Sequence, residues 1–121
     1  MAIKTILVVD DSPTDLRLLS TPLLEKDYRI ITASDGEEAL EKVSSERPDL
    51  VLLDIILPKK NGFQVCRQIK TAPETKDIPV ILISSKSQDS DRFWGLKQGA
   101  DEYMTKPFED DDLMANVTKF I

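Results

Sequence analysis

The sequence predicts an α/β domain with a doubly wound parallel sheet, and three observations carry that expectation. The first is Leu50-Val51-Leu52-Leu53, an apolar run that continues past one carboxylate, Asp54, into Ile55-Ile56-Leu57-Pro58. A run of this kind reads as a strand covered on both faces, as in parallel sheets sandwiched between helices. The second is the alternation of five short apolar runs with five amphipathic segments through short turns. The third is length: 121 residues make one domain able to bury a real core.

The elements follow in order. Thr5-Ile6-Leu7-Val8-Val9 is the first strand and runs straight into Asp10-Asp11. Ser12-Pro13-Thr14-Asp15 then starts a helix, with a Ser cap, Pro at the first helical position and an acid in the first turn. Leu16, Leu19 and Leu23 recur at helical spacing, so this helix packs on the sheet. Pro22 lacks a donor and crowds the carbonyl of Leu18, so a kink or an early end is expected there, without functional meaning.

Tyr28-Arg29-Ile30-Ile31-Thr32-Ala33 is the second strand, and Ser34-Asp35-Gly36-Glu37 reads as a turn and capping box opening a helix with Ala39, Leu40 and Val43 inward. Pro58-Lys59-Lys60-Asn61-Gly62 makes a loop into the third helix, with Phe63, Cys66 and Ile69 inward. Cys66 is expected in the core, where free cysteines commonly sit. A polar connection from Thr71 to Ile78 precedes the fourth strand, which starts at Pro79. Ser87 to Gln98 is the fourth helix, with Trp94 read as core in preference to partly exposed for a partner, and Gly99 as its left-handed stop. Glu102-Tyr103-Met104-Thr105 is the fifth strand. Glu109-Asp110-Asp111-Asp112 then sets acids at a helix amino terminus, where the dipole favours them, ahead of inward Leu113, Val117 and Phe120.

Composition narrows the function. A net charge of -6 argues against nonspecific nucleic-acid binding, because little here would release phosphate counterions. No apolar run is long enough to span a bilayer, and Met1-Ala2-Ile3-Lys4 does not read as a leader, so the cytoplasm is expected. One cysteine excludes an internal disulfide. The lack of histidine excludes a histidine-based zinc site and an internal histidine phosphodonor.

A charge in mid-strand would be buried unpartnered at a cost of several kcal/mol, so Asp54 is expected at the carboxyl end of its strand. That edge is where open parallel sheets bind ligands. If the first and third strands are neighbours, Asp10, Asp11 and Asp54 converge there. An oxygen-only cluster with room for water suits Mg²⁺. The competing reading, that Asp10-Asp11 merely opens a loop and caps a helix, loses ground because two strands end in Asp. Two other strand ends add a hydroxyl, Ser84, and an ammonium, Lys106, which together with the acids form a site for a phosphoryl group.

Val8-Val9-Asp10-Asp11-Ser12, Leu53-Asp54-Ile55-Ile56-Leu57-Pro58 with Gly62, Ile83-Ser84-Ser85 and Tyr103-Met104-Thr105-Lys106-Pro107-Phe108 resemble, in order and spacing, the receiver domain of two-component response regulators. The likeness covers essentially the whole chain, residues 1–121, as one receiver domain without an output domain. Trp94-Gly95-Leu96-Lys97-Gln98-Gly99-Ala100 resembles the single-domain CheY-like and PilH-like regulators of motility. The resemblance implies a flavodoxin-like sheet of order 2-1-3-4-5, which sets the first and third strands side by side.

It further implies that Asp54 accepts a phosphoryl group from a sensor histidine kinase or its phosphotransfer domain. Asp11, Asp54 and the backbone carbonyl of Ile56 would hold Mg²⁺, and Asp10 would act through a coordinated water. Lys106 would pair with the carboxylates at rest and with phosphoryl oxygens afterwards, its bond to Pro107 being cis. Ser84 and Tyr103 would form the switch, Ser84 moving toward the phosphoryl group and Tyr103 then turning inward. The surface of the fourth helix, fifth strand and fifth helix would meet a protein target. Such a protein is a signalling switch with autophosphorylation and autodephosphorylation chemistry, not an enzyme, and a monomer or weak dimer.

Three rivals stand beside this reading. A dehalogenase-type phosphatase also uses a strand-end Asp but needs a second acid two residues on, where this chain has Ile56. A receiver-like module that signals without phosphorylation would be expected to lack site residues, and all are present. The third is a fragment of a longer regulator.

Overall fold

A computed structural model of the chain describes residues 3–121. Met1 and Ala2, part of the segment read above for a leader, lie outside the described residues. Five strands, β1 (Thr5–Val9), β2 (Arg29–Ala33), β3 (Leu50–Leu53), β4 (Val80–Ser84) and β5 (Glu102–Thr105), alternate with five helices, α1 (Pro13–Leu24), α2 (Gly36–Glu46), α3 (Gly62–Thr71), α4 (Asp89–Lys97) and α5 (Asp110–Thr118). Every strand pair is parallel and the order is β2-β1-β3-β4-β5, the sheet expected from the sequence.

The two-residue repeat of the strands divides the core in two. Leu7, Val9, Val51, Leu53, Val80, Leu82 and Tyr103 face one way, onto Ala39 and Val43 of α2 and Val65, Cys66 and Ile69 of α3. Ile6, Val8, Leu50, Leu52, Ile81, Ile83 and Met104 face the other way, onto Leu19 and Leu23 of α1 and Leu113 and Val117 of α5. The apolar run of β3 is thus explained: all four of its residues are fully buried because both faces are covered. Cys66 is a core residue, as expected, and burial pushes its thiol up to about 12, which makes it inert.

Three local expectations are sharpened or corrected by the structure. The cap of α2 is Asp35, whose side chain accepts from the Glu38 N–H at 2.8 Å, one residue later than the Ser34–Glu37 pairing. The Glu38 carboxylate in turn accepts from the Ser34 N–H at 2.8 Å. Of the kink or early end expected at Pro22, helix α1 does not stop at the proline itself but runs two residues past it, to Leu24. Leu18, whose carbonyl Pro22 leaves without a donor, lies on the exposed side, where water can serve it.

Trp94 is the third, being 55% exposed and not in the core. The side of α4 turned to the sheet is Gly95, buried against Leu82 and Tyr103, so Phe93, Trp94 and Leu96 fan outward. Helix α4 ends as expected, with Gly99 at φ +99.

The β3–α3 connection is held tightly. The Gly62 N–H donates to the Ile55 carbonyl at 2.7 Å, and a Cβ at position 62 would overlap the carbonyl oxygen of Asp54. Gly62→Ala must therefore push the backbone that carries Asp54. We expect it to lower stability by about 2 kcal/mol or more, the range of overpacked sites, measured by urea unfolding. An unchanged unfolding midpoint would show that the loop can yield without cost.

Candidate functional site

Strand register places the acids. Val9 lies opposite Leu53 in the β1–β3 pair, so the next residue of each strand, Asp10 and Asp54, leave the sheet side by side. Backbone bonds continue one step past the strands: the Asp54 N–H donates to the Val9 carbonyl at 3.0 Å and the Asp10 N–H to the Ala33 carbonyl at 3.1 Å. Neither carboxylate can therefore drift from the edge. Asp10 is 1% exposed and Asp54 9%, while Asp11 is exposed.

Lys106 comes from the far side of the sheet. Its N–H donates to the Ser84 carbonyl at 2.8 Å, one step beyond the Ser84–Thr105 pairing, and its bond to Pro107 is cis. Its ammonium lies 2.7 Å from Asp10 Oδ2, 3.0 Å from Asp15 Oδ2 and 3.6 Å from Asp54 Oδ2. Burial alone would lower the lysine pKa. Hydrogen bonds to Asp10 and Asp15, with the charges of Asp54 and Asp10, overcome it and hold the pKa above the ordinary value.

Asp54 shows the opposite balance. Burial raises its pKa, Lys106 opposes, Asp10 adds to the rise, and the N–H groups of Ile55 and Ile56 oppose; the net direction is upward. Asp54 Oδ1 accepts from the Ile55 N–H at 2.8 Å, while Oδ2 faces the lysine without a hydrogen bond to it. One oxygen of Asp54 is thus fixed by backbone and the other left available for chemistry.

The donor set fits a hard divalent cation. One carboxylate oxygen from each of Asp10, Asp11 and Asp54 lies within 4.8 Å of the others, all donors are oxygen, and the exposed Asp11 leaves a side open to water. Asp10 has both oxygens engaged: Oδ2 by Lys106 and Oδ1 by the Ser12 N–H at 3.0 Å. Ile56 follows in the loop, its side chain 57% exposed and its N–H directed at Asp54.

Ser84 and Tyr103 lie on the other side of the edge. Ser84, fully buried at the end of β4, accepts through its hydroxyl from the Lys86 N–H at 3.2 Å. Tyr103 is only 3% exposed and its hydroxyl donates to the Lys86 carbonyl at 2.7 Å. The tyrosine expected to turn inward on phosphorylation thus already lies inside in this structure. The room comes from Gly95, where a Cβ would stand 2.8 Å from the Tyr103 ring.

Among the residues the sequence reading singled out, Asp10, Asp11, Asp54 and Lys106 come together, with Ser84 and Tyr103 linked through Lys86 beside them. Asp15 was missed as a member of the site. It read as a first-turn acid of α1, which it also is: its N–H donates to Ser12 Oγ at 3.3 Å. A signal was available, because the acid of an S-x-x-D start would normally reach back to the Ser12 N–H, and here that donor is taken by Asp10.

Comparison with known proteins agrees with this geometry. Residues 6–118 match the response regulator receiver domain family. The chain is 40% identical to Protein PilH of Pseudomonas aeruginosa over 112 residues, which cover 93% of each protein. It is 45% identical over 114 residues to the alkaline phosphatase synthesis transcriptional regulatory protein PhoP of Bacillus subtilis, covering 94% of this chain but 47% of PhoP, so the chain spans about half of that relative. Among solved structures it superposes on the chemotaxis response regulator CheY4 of Vibrio cholerae with a TM-score of 0.92 at 26% identity, covering 99% of this chain and 100% of CheY4.

The raised pKa of Asp54 has a consequence for stability. The folded state takes up a proton at a higher pH than the unfolded chain, so an ionised Asp54 costs stability at neutral pH. Asp54→Asn should therefore be the more stable protein at pH 7. The gap should narrow as pH falls through the raised pKa toward the ordinary carboxylate value, because the wild type then becomes neutral at this position. Urea unfolding of both proteins across that range checks the sign; a gap that widens on acidification would contradict it.

Proposed function

This chain belongs to the response regulator receiver family, and we propose that Asp54 is its phosphoacceptor in a two-component phosphorelay. The observation that carries the assignment is the Asp54 carboxylate itself, with one oxygen held by the Ile55 N–H and the other facing Lys106 and the acidic cluster. A carboxylate oxygen attacks the phosphorus carried by a histidine of the partner kinase or phosphotransfer domain. The N–P bond breaks, its electron pair returns to the imidazole, and an acyl phosphate forms on Asp54. The family is a signalling module and not a classical enzyme; we infer that this chain also hydrolyses its own acyl phosphate, so that the signal is timed.

Asp11, Asp54 and the backbone carbonyl of Ile56 would hold Mg²⁺, which supplies charge neutralisation for the incoming phosphoryl oxygens. Asp10, with both oxygens engaged, suits contact through a water. Lys106 then follows the charge, leaving the carboxylates for the phosphoryl oxygens. Its 3.6 Å separation from Asp54 at rest leaves room for that shift.

Switching runs through Lys86 in this reading. The phosphoryl group adds nearly two negative charges and strong acceptors, drawing the Ser84 hydroxyl toward it and away from the Lys86 N–H. Tyr103 is fastened to the carbonyl of the same residue, so the pull reaches it as a change in an existing bond. The tyrosine backbone is also gripped from α4: Arg92 Nη1 donates to the Tyr103 carbonyl at 3.1 Å, and Arg92 and Lys119 of the segment after α5 both pair with Glu102. The α4–β5–α5 face, with Phe93 and Trp94 exposed, is the surface we assign to the downstream protein target.

No described helix is long and apolar enough to cross a membrane. A cytoplasmic location is supported by the family and by the kinase partner it implies. The likeness to PilH over most of that protein and to CheY4 supports grouping this chain with stand-alone receivers that act in motility or taxis.

Two outcomes check the assignment. Acetyl phosphate with Mg²⁺ should add one phosphoryl group to the wild type and none to Asp54→Asn, read by intact mass; the same gain in the mutant would remove Asp54 from the role. Millimolar Mg²⁺ should raise the melting temperature by mass action, and Asp11→Ala should abolish the rise. An equal rise in Asp11→Ala would place the ion elsewhere.

A further inference from the structure

We propose that Asp15 is a positioning residue for phosphorylation: its carboxylate holds the Lys106 ammonium back from Asp54 and so restrains formation of the acyl phosphate. The inference rests on the phosphoacceptor role of Asp54. The lysine has three acidic neighbours at the sheet edge, and it forms hydrogen bonds with two of them, Asp10 at 2.7 Å and Asp15 at 3.0 Å. Asp54, at 3.6 Å, has only its charge to offer. The residue that must accompany the phosphoryl group is thus tied at rest to a carboxylate on α1 that takes no part in the chemistry.

Asp15 is free to do this because of how α1 begins. Ser12 caps the helix and accepts from the Asp15 N–H. An acid at this third position usually returns the favour by accepting from the cap residue's N–H. Here the Ser12 N–H donates to Asp10 Oδ1, and the Asp15 side chain turns to Lys106 instead. One backbone donor, taken by Asp10, releases the second carboxylate toward the lysine.

The direction of the effect follows from charge. Phosphorylation replaces a single negative charge at Asp54 with nearly two, so the pull on the ammonium grows while the hold of Asp15 stays the same. Removing Asp15 therefore favours the phosphorylated state over the resting one. A half-exposed ion pair sets the scale, roughly two- to fivefold in rate.

The test uses acetyl phosphate and Mg²⁺ with the full chain. The P–O bond of the donor breaks as the Asp54 oxygen–phosphorus bond forms, and acetate leaves with the electron pair. Intact mass follows the fraction phosphorylated over time. Asp15→Asn should accumulate phosphate roughly two- to fivefold faster than the wild type, and Asp15→Glu, which keeps the carboxylate, should return toward the wild-type rate.

Asp110→Asn is the control for simple repulsion of an anionic donor. Asp110 lines the same cleft of about 310 Å³ as Asp15 and Lys106 but makes no hydrogen bond or ion pair with the lysine among the described residues. Its variant should keep the wild-type rate. Wild-type kinetics in Asp15→Asn, or an equal acceleration in Asp110→Asn, would overturn the positioning role while leaving Asp54 as acceptor. A wild type that takes up no phosphate would overturn the reading beneath it.

Discussion

Everything at the functional edge depends on one ammonium group among carboxylates. Asp10, Asp15 and Asp54 all lie within 3.6 Å of Lys106 Nζ, and Asp11 stands close by. Without a cation, carboxylates crowded in this way repel one another and oppose folding. The lysine makes the cluster tolerable, but at 3.6 Å it leaves Asp54 only partly compensated.

The sheet explains how distant residues meet there. Strand alternation sends Ile6, Val8, Leu50, Leu52 and Met104 to the face covered by α1 and α5. The same two-residue step continues to Asp10, Asp54 and Lys106, which is why Asp15 of α1 can join them. Val80, Leu82 and Tyr103 point to the opposite face, and the step from Leu82 leads to Ser84. Charge chemistry thus sits on the α1 side and the conformational relay on the α4 side, with the β3 and β4 ends between them. Ser84 and Tyr103 meet at Lys86, one through its N–H and the other through its carbonyl, and this is the link that the proposed switch would use.

Much of this was legible in the sequence because strand ends are marked by chemistry. An apolar run stopping at a charge told where β1, β3 and β5 finish, and burial cost alone placed Asp54 at an edge. Helix faces were less legible. Trp94 was misplaced because its size suggests burial, whereas the position that needs closeness is Gly95, beside the Tyr103 ring. The cap of α2 was misread by one residue because Ser34 and Asp35 are both good caps, and only the backbone decides between them. Asp15 was missed because the S-x-x-D start marks it as a capping acid, and only the structure shows that Asp10 takes the Ser12 N–H and frees Asp15 for Lys106.

Cation and carboxylate charge are balanced at this edge, and an Mg²⁺ ion held by the acidic cluster, as proposed, would share with Lys106 in supplying that balance. The most direct test is urea unfolding of Lys106→Met with and without saturating Mg²⁺. In the absence of Mg²⁺ the variant should lose on the order of 2 kcal/mol or more, as buried charges left unpaired do. Saturating Mg²⁺ should recover most of that loss and stabilise the variant more than the wild type. A loss that Mg²⁺ leaves untouched, or no loss at all, would show that charge balance does not hold this edge together.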